Sequence, residues 1–257
     1  MGQSKKLFFY GLLIVISIGM LVVGFFVYLK LKSPFCPVIQ AIPESTAVFF
    51  EIPDPVKTWK KLNENNDIWK ELLQIHKIKE FSGRINTLDS LSSCFESVSE
   101  LLTSQKFYIS IHLDQNNRSG FLYLIGMTRS VHENRIHDFV FGSCKGHCSI
   151  LKTNYNKARI IKIISGDSTD LFTYTIYNGI FIGSCITDLV KEAIDQVDSK
   201  LTIASEAFQQ VKITAGKKVE TNIYINHDNF NKLMKQLASD ESIISLDMIS
   251  NFAQWSE

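Results

Sequence analysis

Four times along the chain a short apolar run is followed by a turn-forming residue and then by apolar positions at helical spacing. The first unit is "AVFFEI" (47–52), then Asp54-Pro55 and "VKTWKKL". An aspartate before the first turn accepts orphan backbone N–H groups, and proline in the first helical position has no N–H to lose. The second is "GIFIGS" (179–184), Thr187 or Asp188 as cap, and "LVKEAIDQV", where Leu189, Val190, Ala193, Ile194 and Val197 share one helical face. The third is "TNIYIN" (221–226), Asp228, and "NFNKLMKQL", with Phe230, Leu233, Met234 and Leu237 at i, i+3, i+4, i+7. A looser copy is "GFLYLIGM" (120–127), Ser130 and "VHENRIHDFVF".

Other patterns fill the intervals. Residues 67–80 and 84–103 read as helices, and "KFYISIHL" (106–113) alternates as a strand. "DQNNRSG" joins that strand to the next as a hairpin. "ARIIKIIS" and "LFTYTIY" flank "GDSTD", and Asn178-Gly179 is a strong short hairpin signal, so 158–184 reads as a three-stranded meander. Hairpins mixed with helices give an α+β class: an antiparallel or mixed sheet with helices packed on one face, built from repeated strand-turn-helix units.

Residues 7–29 break the pattern. They are 23 residues without a charge, with Tyr10 and Tyr28 near the ends. About 20 apolar residues in a helix cross a hydrocarbon core, and aromatic rings favour its borders. The block is longer than the apolar region of a cleaved signal peptide, and no small-residue cleavage site follows it. The expectation is an uncleaved transmembrane signal anchor that holds the chain in a lipid bilayer. Residues 1–6 are then a cytoplasmic tail, 30–42 a proline-containing stalk, and 43–257 an extracytoplasmic α+β domain. Lys5 and Lys6 before the span are balanced by Lys30 and Lys32 after it, so the orientation rests on a weak charge bias.

Charge excludes one partner class. Four of the 27 basic residues flank the span, and none of the 26 acidic residues lies in 1–32, so the remainder carries 23 basic against 26 acidic residues. No basic stripe remains for nucleic acid. Five cysteines (Cys36, Cys94, Cys144, Cys148, Cys185) form no even framework of repeated spacing.

The densest concentration of reactive types is His132, His137, Cys144, His147 and Cys148. "HENRIH" differs from the zinc-protease signature by one residue. Histidines five apart lie about 140° around a helix from each other, so they do not grip one ion. The expected arrangement buries Ile136, Phe139 and Val140 and leaves both histidines exposed. "CKGHC" has the wrong order for haem attachment and the wrong spacing for a C-x-x-C redox pair. It reads as a loop with unpaired thiols. A Cys144–Cys148 disulfide and a metal site using His137, Cys144, His147 and Cys148 stay open as alternatives. "SGDSTD" resembles a Gly-Asp-Ser esterase block, but no Asp-x-x-His follows Ser168, and Gly, Asp and Ser are turn formers. Asn117-Arg118-Ser119 fits a glycosylation acceptor. Trp59 and Trp69 fall roughly on one side of their helices and read as core. No catalytic set is complete and no cofactor motif is present.

The stretches "AIPESTAVFFEIPDPVKTWKKLNENNDIWKEL", "GIFIGSCITDLVKEAI" and "FQQVKITAGKKVETNIYINHDNF" together resemble an uncharacterised family of bacterial envelope proteins. Its members carry an N-terminal membrane anchor and an extracytoplasmic domain of unknown function. The likeness covers roughly residues 40–240 and rests on structural motifs. It implies a non-enzymatic binding or scaffold domain whose partner is an envelope protein or ligand, and it transfers no catalytic residue. Longer members continue into a β-rich region, so it also implies a short form or the N-terminal part of a longer protein. The alternative function is an envelope hydrolase or metal-binding protein using the His132/His137/Cys144/His147/Cys148 cluster.

Overall fold

The computed structural model describes residues 16–28, 37–64, 66–74, 79, 82–83, 86, 96–113, 119–128, 131–142, 148–166, 170–199, 206–237 and 254–257. Helix α1 occupies 16–28, and all thirteen of its residues are exposed. Among the described residues no helix is long and apolar enough to cross a membrane. Of the expected span, 7–15 and 29 lie outside the described residues, as do 30–36 of the expected stalk.

Residues 38–42, assigned to the stalk by their sequence, belong to the domain instead. Val38–Ala41 form a 3₁₀ turn, and Val38, Ile39, Ala41 and Ile42 are buried in the main core. Four apolar residues within five positions outweigh the extending effect of the prolines beside them.

From there the chain runs β1 (Thr46–Ile52), α2 (Pro55–Glu64), α3 (Asp67–Leu72), α4 (Glu96–Ser104), β2 (Phe107–Leu113), β3 (Ser119–Gly126), α5 (Glu133–Gly142), β4 (Cys148–Tyr155), β5 (Ala158–Ser165), β6 (Asp170–Tyr177), β7 (Ile180–Ser184), α6 (Thr187–Ser199), α7 (Glu206–Thr214), β8 (Asn222–Asn226), α8 (His227–Leu237) and β9 (Trp255–Ser256). The class is α+β. Among the described residues the strands form one sheet of nine in the order β4-β5-β6-β7-β3-β2-β1-β8-β9. Every pairing is antiparallel. Each of the four strand-turn-helix units is present, as β1–α2, β3–α5, β7–α6 and β8–α8.

Helices cover both faces of this sheet, not one. On the first face Phe49, Leu122, Leu124, Ile160, Ile180 and Ile182 pack under α6, α7 and the 3₁₀ turn. Residues of opposite parity pack on the second face. There Ile125 meets Val98 and Leu101 of α4 and Ile136 of α5, while Val48, Phe50 and Ile225 meet Phe230 and Leu233 of α8. The cause is visible in "AVFF" and "YLIGM". Apolar residues at consecutive positions mark strands buried on both sides, whereas a one-sided sheet alternates.

Local chemistry sets the helix starts. The Asp54 carboxylate accepts from Lys57 N at 2.9 Å and caps α2, with Pro55 first in the helix, as its sequence predicts. For α8 the cap is Asn226, whose Oδ1 accepts from Asn229 N at 3.1 Å, and Asp228 lies inside the first turn. Thr187 and Asp188 also lie inside α6; the turn before it is tied by Ser184 Oγ, which accepts from Ile186 N at 3.0 Å and donates to Phe121 O at 2.7 Å. Ser130 is outside the described residues. At the β6–β7 turn Asn178 and Gly179 have φ of 49° and 75°, the left-handed pair that an Asn-Gly hairpin requires.

Three elements were not expected, among them the two-residue β9 that pairs with β8. Strand β4 precedes the predicted meander and makes it four-stranded, joined to β5 through Asn156, φ 51°. Helix α7 is anchored by the fully buried Phe208. Phe208 stacks into an aromatic group with Phe49, Tyr224 and Trp255, at ring-centre distances of 4.6–6.1 Å.

Candidate functional site

Among the described residues, three places that gather residue types able to carry chemistry stand out. The most connected lies on the first face, where Ser110 and His112 sit two apart on β2 and therefore point the same way. Both are fully buried. His112 Nε2 is 2.7 Å from Ser110 Oγ, and Nδ1 is 3.0 Å from Ser45 Oγ. Ser45 in turn donates to Glu192 Oε2 on α6 at 3.1 Å. The carboxylate takes the Ser45 proton, so Ser45 Oγ accepts from Nδ1–H, and Nε2 accepts from the Ser110 hydroxyl. This has the proton order of a serine nucleophile, a histidine and an acid, with one hydroxyl interposed.

Two facts remove the catalytic reading. Ser110 has no solvent-facing surface to meet a substrate. Burial also drives the imidazole down to about 3, far below the range near 7 that makes a general base effective. The network is a buried tie between the start of β1, the middle of β2, and α6. Gly120 faces His112 across the β2–β3 pair and keeps α6 close. A Cβ there would stand 2.5 Å from Ile186 Cδ1 and 2.8 Å from Leu189 Cδ1.

The second place is a row across β2, β1 and β8, in which Tyr108, Glu51 and Asn222 lie directly opposite one another. Glu51 is buried, pairs with Lys106 Nζ, and accepts from Tyr224 Oη at 3.4 Å. Burial first, and the Glu51 charge second, lift both phenols: Tyr224 to about 12, and Tyr108 beyond the ordinary tyrosine range. Both therefore remain hydrogen-bond donors. Asn222 donates to Gly216 O at 3.1 Å. The half-exposed Lys106 screens the ion pair, so its worth is closer to that of a surface pair than a buried one.

The third is a strip of rings on the second face, between α5 and α8. Tyr123 stacks on Phe107 at 6.3 Å and on Phe121 at 6.4 Å, and lies 6.4 Å from Phe172. Phe172 continues to Tyr174 at 6.3 Å, and Tyr174 to Phe181 at 5.6 Å. Phe121 is 44% exposed, and Tyr123 and Phe172 are half-buried. A ligand can touch this partly open strip.

The histidines and cysteines singled out in the sequence are dispersed where they are described. His132 is exposed and precedes α5, its carbonyl accepting from Arg135 N at 3.0 Å. His137 departs from expectation. It is half-buried, with Nδ1 2.9 Å from Tyr174 Oη and the two rings 5.6 Å apart, and burial lowers its basicity. Ile136 is buried and Phe139 and Val140 are partly so, in the orientation expected. Cys148 is half-buried at the start of β4. Cys144 and His147 lie outside the described residues, so neither the disulfide nor the mixed metal site can be placed. Among the described residues no three His, Cys, Asp or Glu side chains gather to hold a metal. Ser168 of the Gly-Asp-Ser block, together with Asn117 and Arg118, is likewise outside them. Trp59 and Trp69 meet edge to face at 5.9 Å and join α2 to α3, half-buried rather than in a core cluster.

Sequence reasoning missed the His112 network for a definite reason. In "FYISIHL" the apolar parity (Phe107, Ile109, Ile111, Leu113) reads as the buried face, and Tyr108, Ser110 and His112 as the wet one. In the fold the polar parity is the more deeply buried.

No family model matches the chain, and no curated protein and no solved structure matches it either.

Proposed function

We propose that this chain is a membrane-anchored, extracytoplasmic domain of the bacterial cell envelope that binds or scaffolds a partner and catalyses no reaction. The observation that carries the anchor is α1: its thirteen described residues are all exposed, with Leu21 at 74% and Phe26 at 66%. An apolar helix that buries none of its side chains in the protein loses the hydrophobic contribution that helices such as α6 and α7 draw from the core. A bilayer restores it, and the uncharged block from 7 to 29 is long enough to supply the span. The non-catalytic part rests on His112, Glu51 and His137, each of which finds its own hydrogen-bond partners inside the fold. The binding part rests on the open aromatic strip, because rings give large contact area at low entropic cost.

Alkaline washing of membranes tests the anchor. The full chain stays in the pellet, and release into the supernatant overturns the reading. Protease added outside the inner membrane of intact cells digests the domain; digestion only after that membrane is lysed reverses the orientation. A photoreactive phenylalanine analogue at position 121 forms light-dependent adducts with an envelope component, and no adduct in envelopes removes the strip as the binding face.

A further inference from the structure

The two edges of the sheet differ. One ends in β9, two residues long, which leaves little backbone to extend. The other ends in β4, eight residues long and in unbroken register with β5 from Cys148↔Ser165 to Tyr155↔Ala158. Residues Ser149 to Asn154 are exposed on both faces, with Ile150 at 42% and Leu151 at 46%. Natural edges are usually blunted by shortness, bulges or charge. β4 has no shift in register and a single charged side chain, Lys152.

Which of its backbone groups are open follows from the hairpin. A two-residue turn closes on Tyr155 and Ala158, and such a closing pair exchanges both hydrogen bonds. Antiparallel pairs alternate between bonded and non-bonded. Thr153, Leu151 and Ser149 therefore bond inward to β5. Asn154, Lys152 and Ile150 turn their N–H and C=O groups to the open side. The bond from Thr175 Oγ1 to the Arg159 carbonyl, 2.8 Å, agrees: Arg159 is opposite Asn154 and points its backbone away from β4.

We propose that β4 is a self-association edge: two copies of this chain pair β4 to β4 antiparallel about a two-fold axis through Leu151. A strand added to itself must match open groups to open groups, so the axis passes through Ile150, Leu151 or Lys152. An axis at Lys152 sets that ammonium directly against its copy, which is unfavourable. An axis at Ile150 leaves Leu151 opposite serine. The axis at Leu151 pairs 149–153, with Ile150 against the aliphatic stem of Lys152 and Ser149 against Thr153. It sets Leu151 against Leu151 in a non-bonded pair, where Cα atoms approach to about 4.5 Å and side chains touch most closely. The two sheets then form one continuous sheet, and the interface is isologous, as two-fold closure requires.

Oxidative cross-linking of the full chain in its membrane tests the register. Two Cβ atoms in that central pair are within disulfide reach, so Leu151→Cys forms a disulfide-linked dimer under mild oxidant, at least tenfold above the unsubstituted chain with its five native cysteines. Thr153→Cys does not, because its copy is displaced along the strand beyond that reach. Lys152→Pro added to Leu151→Cys removes an outward N–H, leaves the β4–β5 ladder whole, and abolishes the dimer. A Leu151→Cys yield no higher than the unsubstituted chain overturns the proposal. So does an equal yield from Thr153→Cys, a dimer that survives Lys152→Pro, or a cross-link to a different protein. Unchanged thermal midpoints of the variants show that the fold is intact in each case.

Discussion

His112 uses both ring nitrogens inside the protein, and that makes it a pH-dependent element of stability. Its folded value of about 3 lies below the unfolded value near 6.5. The unfolded chain therefore binds a proton that the folded chain refuses. The contribution is fully present above pH 6.5 and is lost as pH falls from there towards 3, at about 1.4 kcal/mol per pH unit. Unfolding free energies measured at pH 7, 6, 5 and 4 decline with that slope beyond the common acid effect, and His112→Gln flattens it. A variant with the parent slope would show that the histidine is solvated. The two serines are not equivalent. Ser110→Ala strands the Nε2 lone pair in a dry environment and costs about 1–3 kcal/mol, whereas Ser45 is half-buried and water replaces much of its hydrogen bond. Denaturant midpoints rank Ser110→Ala as the more damaging of the two. Neither effect was legible in the sequence, because alternation assigns polar parity to solvent and cannot register that α6 lands on it.

At the scale of elements, seven of the nine strands and all four helices of the repeating units sit where alternation and helical spacing place them, and the departures have physical causes. β4 is exposed on both faces, so "SILKTNY" carries no burial alternation, and its turn is Asn-Lys rather than Asn-Gly. α7 is short and held by few anchors, Phe208 above all. The α8 cap was read two residues late because Asp228 is the more conspicuous cap former, while Asn226 is also the last strand residue. Asn226→Ala therefore costs about 0.5–2 kcal/mol in thermal or denaturant melts. Asp228→Ala removes only the favourable field of a carboxylate in the first turn, about 0.3–1 kcal/mol. Equal losses would return the cap to Asp228. Gly120→Ala drives a methyl against Ile186 and the fully buried Leu189, for about 1–3 kcal/mol. Ile186→Val in the same chain recovers part of it. The candidate site was legible only in fragments. Phe121 and Tyr123 on β3 and Phe172 on β6 are each unremarkable in sequence, and only the insertion of β7 beside β3 brings them into one strip.

For the whole molecule, the consequence of the fold is that its core and its apolar N-terminal block are separable. Every fully buried hydrophobic residue among the described ones lies at or beyond Val38, and the thirteen described residues of α1 contribute none. Deleting residues 1–32 removes the block and its four flanking lysines, but no residue of the four core clusters. On the anchor proposed above, the truncated chain moves from the membrane pellet to the soluble fraction, and its thermal midpoint stays within about 2 °C of the detergent-solubilised full chain, since about 1 kcal/mol shifts a domain of this size by about 2–4 °C. Truncation to residue 43 removes Val38, Ile39, Ala41 and Ile42 as well. Burying such side chains contributes about 1.5–3 kcal/mol for each of the three larger ones, so this second deletion lowers the midpoint by ten degrees or more at roughly that rate. The pair of deletions separates the N-terminal block from the domain. A midpoint that falls already on removing 1–32 would show that α1 packs on the domain rather than in lipid. Equal midpoints for both truncations would return residues 38–42 to the stalk.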